Sequence, residues 1–388
     1  MLAHYGQQSY AEASSKAAVH ARTIMEEKIQ QGLKNAESLI THLATNIPTD
    51  YLARPAELSF VADDYGMRID VTKKDTLCRE FRAHNNALSQ VAARTHINYE
   101  YLRKLVYGFD NHVETVPPWQ RDLAAHILDR HVQEVLPASR SNLIRTVSGR
   151  ARAFLSDSYN IYDSSALLES FVEAAQALAV PPVPVAATCT DLRTSLKMFL
   201  PVVLEPIENE VMCYGVEWFN SDFGCGRYGV RVVLWRLFCT NFAMLEEGLF
   251  EVHLGPRLTN DRLIQFSQKT RDLHTQARIE ATKDIVKSLM SPERVDGLMR
   301  VIRQAGETEL DWAKAKGMLA RLLHAGEMEE AEQLFESEDD IRVPKRQSLY
   351  KVSQILGLFA GQTTDLDRRL DLEKASGAVL LPLLKKAA

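Results

Sequence analysis

Leu143-Ile-Arg-Thr-Val147, Ser148-Gly149 and Arg150-Ala-Arg-Ala-Phe-Leu155 read together as a β-hairpin closed by a glycine turn. Downstream, Ser164 or Ser165 is placed to N-cap an apolar-periodic helix from Ala166 to Ala179. Pro181, Pro182 and Pro184 make the next connection a stiff, extended linker. Strands are expected over 195–203, 211–219 and 227–235, the last two flanking the Asn220-Ser-Asp-Phe-Gly-Cys-Gly226 turn cluster. Trp235 to Leu245 reads as a helix. The order hairpin, helix, three strands, helix predicts an α+β fold with a central antiparallel sheet.

On either side of this segment the pattern is helical. Ile24, Ile29, Leu33, Leu39 and Ile40 mark a helix over 10–46, ended by Pro48 and Pro55. The pattern loosens over 58–71, and helices are expected again over 74–106 and from Pro117-Pro118 to about Glu134. Beyond Arg257 the chain reads as helical to its end: 260–290, a helix from Pro292, 312–323, 328–335 and a last one or two after Lys345. The expected organisation is a mainly helical region 1–137, an α+β core 138–258 and a helical region 259–388. No period of 20 to 50 residues repeats.

Composition narrows the function classes. With 46 basic against 51 acidic residues the net charge is −5, which argues against a wholly basic coat but leaves room for a local basic groove. The cysteines (Cys78, Cys189, Cys213, Cys225, Cys239) form no C-x-x-C pair and have no histidines at zinc spacing. Cys213, Cys225 and Cys239 sit in apolar or strand-like context, where the thiol acts as a small buried hydrophobe. A reduced, cytoplasmic setting in a bacterial host cell is expected, with no secretory signal and no membrane span.

Several motifs resemble a phage/plasmid-like family of unknown function, the domain of unknown function numbered 932. They are Arg152-Ala-Phe-Leu-Ser-Asp-Ser-Tyr159 with Asp163, Asn220-Ser-Asp-Phe-Gly224, Trp235-Arg-Leu-Phe-Cys-Thr-Asn241, His253-Leu-Gly255 and Leu372–Leu380. Phe242 departs from the pattern, which has glycine after Asn241. The resemblance implies a gene carried by a mobile element and brings no established activity.

Arg140, Arg145, Arg150, Arg152, Lys197, Arg227, Arg231 and Arg236 fall on or beside the expected strands, interleaved with Phe154, Tyr159, Tyr162, Trp218, Phe219 and Tyr228. A basic groove following phosphates, beside rings on which bases stack, is what non-specific single-strand binding requires. Strand alternation puts Arg150, Arg152 and Phe154 on one face, and likewise Arg227, Gly229 and Arg231. The expected nucleic-acid contacts are Arg145, Arg150, Arg152, Phe154, Tyr159, Lys197, Arg227, Tyr228, Arg231 and Arg236. The bland counterpart is a set of solvated arginines paired with carboxylates.

The element order is compatible, by analogy, with phage single-strand annealing proteins, which would make the chain a homo-oligomer promoting annealing or recombination. Residues 88–105 have the spacing of a helix-turn-helix, although His96 at the turn and the late Arg103 and Lys104 favour an ordinary αα corner. Asp157, Asp163, Asp222 and His253 would make a cation-dependent nuclease only if they converged; Ser156-Asp157 and Ser221-Asp222 also read as turn and cap formers. The alternative, from another class, is a non-enzymatic interaction protein engaging a host factor through its helical ends, with the nuclease third. No nucleophile or phosphate-loop motif is present and no cofactor is expected.

Overall fold

The computed structural model describes residues 2–5, 8–11, 13, 15–73, 76–109, 112–237, 241–251, 268–340 and 342–383. It begins with the hairpin β1 (Leu2–Tyr5) and β2 (Gln8–Ala11) and the long helix α1 (Lys16–Thr45), which Ser15 caps through the Ala18 N–H. Next come β3 (Thr49–Ala53), β4 (Leu58–Asp63), β5 (Gly66–Lys73) and β6 (Thr76–Ala83). Helices α2 (Asn85–Arg94), α3 (Tyr99–Tyr107) and α4 (Pro118–Val135) follow, then β7 (Asn142–Val147) and β8 (Arg150–Ser156).

The second half holds α5 (Ser164–Gln176), β9 (Val183–Cys189), β10 (Thr194–Phe199), β11 (Leu204–Ile207), β12 (Glu210–Asn220), β13 (Tyr228–Arg236) and β14 (Asn241–Glu251). Six helices follow among the described residues: α6 (Gln268–Leu289), α7 (Pro292–Glu307), α8 (Trp312–Leu319), α9 (Ala325–Glu336), α10 (Leu349–Gln362) and α11 (Leu366–Ala378).

The class is α+β, built on two large sheets rather than one. The N-terminal sheet runs β3-β7-β8-β6-β5-β4, and the C-terminal sheet runs β14-β13-β12-β10-β9 with β11 paired to β12. The hairpin at 143–155 forms as read: Ser148 and Gly149 both take positive φ, the conformation that a tight two-residue turn needs. All N-terminal pairings are antiparallel except β6 with β8, where Arg82 and Ala83 lie parallel to Arg150 and Ala151.

Region 1–137 holds four helices but also four strands of the N-terminal sheet, which β7 and β8 complete, so a boundary at 138 would cut through that sheet. Residues 58–71 alternate: Leu58, Phe60, Met67, Ile69 and Val71 point to a core under α2–α4, while Arg68 and Asp70 point away. Residues 76–83, read as helix, complete that sheet as β6, burying Phe81 and Ala83. Val183–Cys189 likewise forms a strand where a linker was expected, despite Pro184.

The helix expected over 235–245 is instead the end of β13 and the start of β14. Phe242 lies opposite Trp235 of the neighbouring strand β13, 6.3 Å between ring centres, and stacks 5.8 Å from Phe199 of β10 on the same face of the sheet. Both faces of the C-terminal sheet are covered, which is why every residue of β13 is buried. Cys213 lies in that core, Cys225 is only half-buried and bonds Asn86, and Cys239 lies outside the described residues. No described helix is long and apolar enough to cross a membrane.

Gly32 lets α1 lie directly on β9. A Cβ there would sit 2.3 Å from the Pro184 carbonyl oxygen and 2.5 Å from the Val185 Cα. Gly32→Ala should destabilise the protein by about 1–3 kcal/mol, because backbone cannot yield as a side chain can. Gly317→Ala, with nothing within 4 Å of the added methyl, should be neutral or stabilising. Thermal unfolding of the two variants checks the contrast.

Candidate nucleic-acid interface

The expected basic groove does not form as a single surface. Arg145 is 1% exposed: its Nε donates to Asp50 (2.8 Å), its Nη1 to the Asp222 carbonyl (2.9 Å), and its remaining nitrogen to Asp163. Lys197 is buried in the other sheet, 3.0 Å from Glu373 and 4.3 Å from the centre of the Phe242 ring. Arg231 is buried on Glu217 (2.7 Å) and over Phe219, and Arg236 is clamped by both oxygens of Glu210 (2.7 and 2.9 Å). Tyr159, Tyr162, Trp218 and Tyr228 are core residues; burial pushes the Tyr159 hydroxyl far above its ordinary pKa. These buried cations are counter-ions to carboxylates, so Arg145, Lys197, Arg231 and Arg236 are corrected to structural roles.

The shared face of Arg150, Arg152 and Phe154 is broken by a β-bulge. Arg145 pairs with Ala153 but Thr146 with Ala151, leaving Arg152 as the extra residue. That single residue flips the alternation, sending Phe154 into the core under the Arg94 guanidinium (5.2 Å). Arg152 turns to Asp191 and lies 5.5 Å from the Phe223 ring. Arg227 precedes β13 rather than sharing a strand face with Arg231.

Only Arg150 remains as an exposed arginine on the outer face of a strand, with no hydrogen bond or ion pair to a described residue. It has company that the sequence reading missed. Arg150 lies directly opposite Arg82, and Arg82 directly opposite Arg68, on the face of the N-terminal sheet away from its helices. Arg68 holds Asp70 with two bonds (2.7 and 2.9 Å) and reaches Glu80 at 3.3 Å.

Arg82 is held by both oxygens of Asp63 and lies 5.4 Å from the centre of the Tyr65 ring, which is 82% exposed. The Arg82 bond keeps the Asp63 carboxyl below its ordinary value. The signal was present in Met67-Arg-Ile-Asp-Val71, whose polar residues alternate with apolar ones.

The acids do not converge on a cation: among the described residues no group of three or more potential ligands forms. Asp157 pairs with Arg140, Asp163 with Arg145, and Asp222 accepts from the Ser164 N–H (2.8 Å), the Ser164 hydroxyl (2.7 Å) and Asn220 (3.1 Å). His253 and Arg257 lie outside the described residues. The α2–α3 corner packs on the helical side of the N-terminal sheet, with His96 at φ 58° making the turn and Glu100 neutralising Arg103. Its other cations are engaged locally: Arg94 donates to the Leu155 carbonyl (2.7 Å) and Lys104 lies 5.0 Å from the centre of the Phe109 ring.

Burial pushes the Asp222 carboxyl up to about 6, against the pull of the Ser164 bonds and Arg145. A carboxyl raised on folding binds its proton more tightly in the native state. Its contribution to stability is thus greatest at low pH and is lost as pH rises from the ordinary 3.8 through about 6. Unfolding curves across that window should show this loss in the wild type and not in Asp222→Asn. Arg145→Met, which leaves three acceptors without their donor, should cost about 3–5 kcal/mol by the same measurement.

The chain matches no family model, no curated protein and no solved structure.

Proposed function

We propose that the chain binds single-stranded nucleic acid, without sequence preference, along the open face of its N-terminal sheet. The observation that carries this reading is the register Arg68–Arg82–Arg150 across three neighbouring strands. Like charges directly opposite one another destabilise a sheet, so such a row calls for a counter-charge. Asp63, Asp70 and Glu80 supply part of it and orient the guanidiniums of Arg68 and Arg82, while Arg150 has no such partner among the described residues.

With strands about 4.8 Å apart, the row spans roughly 10 Å, a path for a few successive phosphates. Tyr65 at its end offers a ring to an unstacked base, which a duplex would not present. Of the residues first expected to touch nucleic acid, Arg150 stays in the interface, Arg152 borders it, and Arg68, Arg82 and Tyr65 join them.

Residues 152–159 and 220–224, which resemble the phage/plasmid-like family, support placing the protein on a mobile element in a bacterial cytoplasm. There a homo-oligomer could line such faces up for annealing or recombination. The nuclease reading has no support in the separately engaged Asp157, Asp163 and Asp222.

Fluorescence anisotropy with a labelled oligothymidylate across a salt series tests the proposal. Binding should weaken steeply with salt, and the triple variant Arg68→Gln/Arg82→Gln/Arg150→Gln should lower the slope of log K against log salt by about 2. Tyr65→Ala should cost about 1–3 kcal/mol. A wild type that does not bind at low salt, or a triple variant that binds equally well, would overturn it.

A further inference from the structure

Two residues beyond Arg82 and Arg150, which lie opposite each other on the parallel strands β6 and β8, come His84 and Arg152. The His84 backbone N–H donates to the Ala151 carbonyl (2.8 Å), which holds the two chain segments side by side. Nδ1 of His84 accepts from the Asn86 N–H (3.1 Å), so the proton of the neutral ring sits on Nε2. Burial holds the His84 pKa below its ordinary value, and the nearby charges of Arg150 and Arg152 push it the same way. Imidazole and guanidiniums thus gather as a second group of donors at the end of the arginine row.

One anion already lies over them. The β9–β10 turn reaches across from the C-terminal sheet, with its Leu192 packed beside Val147, Ala153 and Phe223. The Thr190 hydroxyl braces the turn by accepting from the Leu192 N–H (3.3 Å) and the Arg193 N–H (2.9 Å). At its tip the Asp191 carboxylate lies 3.3 Å from Nη2 of Arg152 and 4.0 Å from Nε2 of His84. Both distances are long beside the 2.7 and 2.9 Å bonds between Arg68 and Asp70.

The Asp191 side chain is 57% exposed, over His84 at 17% and Arg152 at 13%. An outer acid therefore sits loosely on inner donors, a contact that adds little stability. Arg152 does not depend on that carboxylate for its position. Its Nη1 donates to the Asp191 carbonyl (3.0 Å), and its guanidinium lies 5.5 Å from the centre of the Phe223 ring.

We propose that Arg152 and His84, together with Arg150, form a further phosphate subsite of the nucleic-acid face, which the Asp191 carboxylate occupies in the free protein. The proposal rests on the reading of that face as a single-strand path, and lengthens the path along β6 and β8. Asp191 is tethered, so a free anion competes with it poorly. A phosphate on a strand already held at Arg82 and Arg150 is tethered too, and displaces it. Asp191 thereby acts as a built-in competitor that lowers affinity.

Anisotropy with a labelled oligothymidylate tests this on the full chain. Asp191→Asn should tighten binding at least about threefold at low salt, and adding Arg152→Gln should remove the gain and lower the slope of log K against log salt by about 0.7. Thermal unfolding of Asp191→Asn should show no gain in stability, so affinity and stability separate. An ion pair with a structural role alone would lose stability and leave affinity unchanged.

An Asp191→Asn variant that binds no tighter would overturn the proposal. So would an equal gain in the presence of Arg152→Gln, which would mean a long-range field without a subsite. A gain in affinity for inorganic phosphate by titration calorimetry, with none for the oligonucleotide, would make this a free-anion site and overturn it too. If the wild type binds through its arginine row and Asp191→Asn gains nothing, the subsite alone fails. If neither protein binds at low salt, the nucleic-acid reading fails with it.

Discussion

The Arg145 guanidinium is the point on which the molecule's two halves depend. It is almost fully buried on β7, yet its partners come from β3, from the residue capping α5, and from the loop after β12. A buried charge is costly unless its donors are satisfied, so each of those segments is held to the position that satisfies it. Burial pulls the guanidinium toward neutrality, but Asp163 and Asp50 outweigh it and keep the proton firmly bound. The same carboxylates form one wall of a cleft between the sheets. One ion cluster thereby sets both the docking of the halves and the chemistry of the space between them.

Charge elsewhere is sorted by the same logic. Inside the C-terminal sheet each buried cation meets a carboxylate: Lys197 with Glu373, Arg231 with Glu217, Arg236 with Glu210. On the outer face of the N-terminal sheet Arg68 and Arg82 also meet carboxylates, but they line up across the strands with Arg150, which has no such partner among the described residues. An arginine that ends beside a carboxylate in a dry interior is spoken for. One that ends in a row on a wet face is open to exchange partners with an anion from outside.

Legibility in the sequence followed the range of the interactions. The hairpin at 143–155 is visible because its turn chemistry is local, and α1, α4 and α7 are visible because their periodicity and caps are local. Strands β4 to β6 are not, because their polar alternation mimics a loosened helix until the partner strands are known. The fate of Lys197 was out of reach, since its carboxylate lies 176 residues away. Phe154 is the sharpest case. Its neighbours predict an outward ring, and one bulged residue, Arg152, turns it inward. The candidate site was legible only at Arg150, because cross-strand register, not composition, makes the row.

The parallel pairing of β6 with β8 has a consequence for how the chain is made. Strands β4, β5 and β6 can close on one another as soon as they emerge, but β8 joins β6 only after three helices and β7 have been synthesised. During that interval, which lasts seconds at ordinary rates of synthesis, β6 is an open strand edge in a half-built sheet. Arg79, Glu80 and Arg82 on that strand are the kind of charges that discourage premature pairing. The charges of β6 thus act first as guards of the nascent chain, before Arg82 takes its place between Arg68 and Arg150 in the finished sheet.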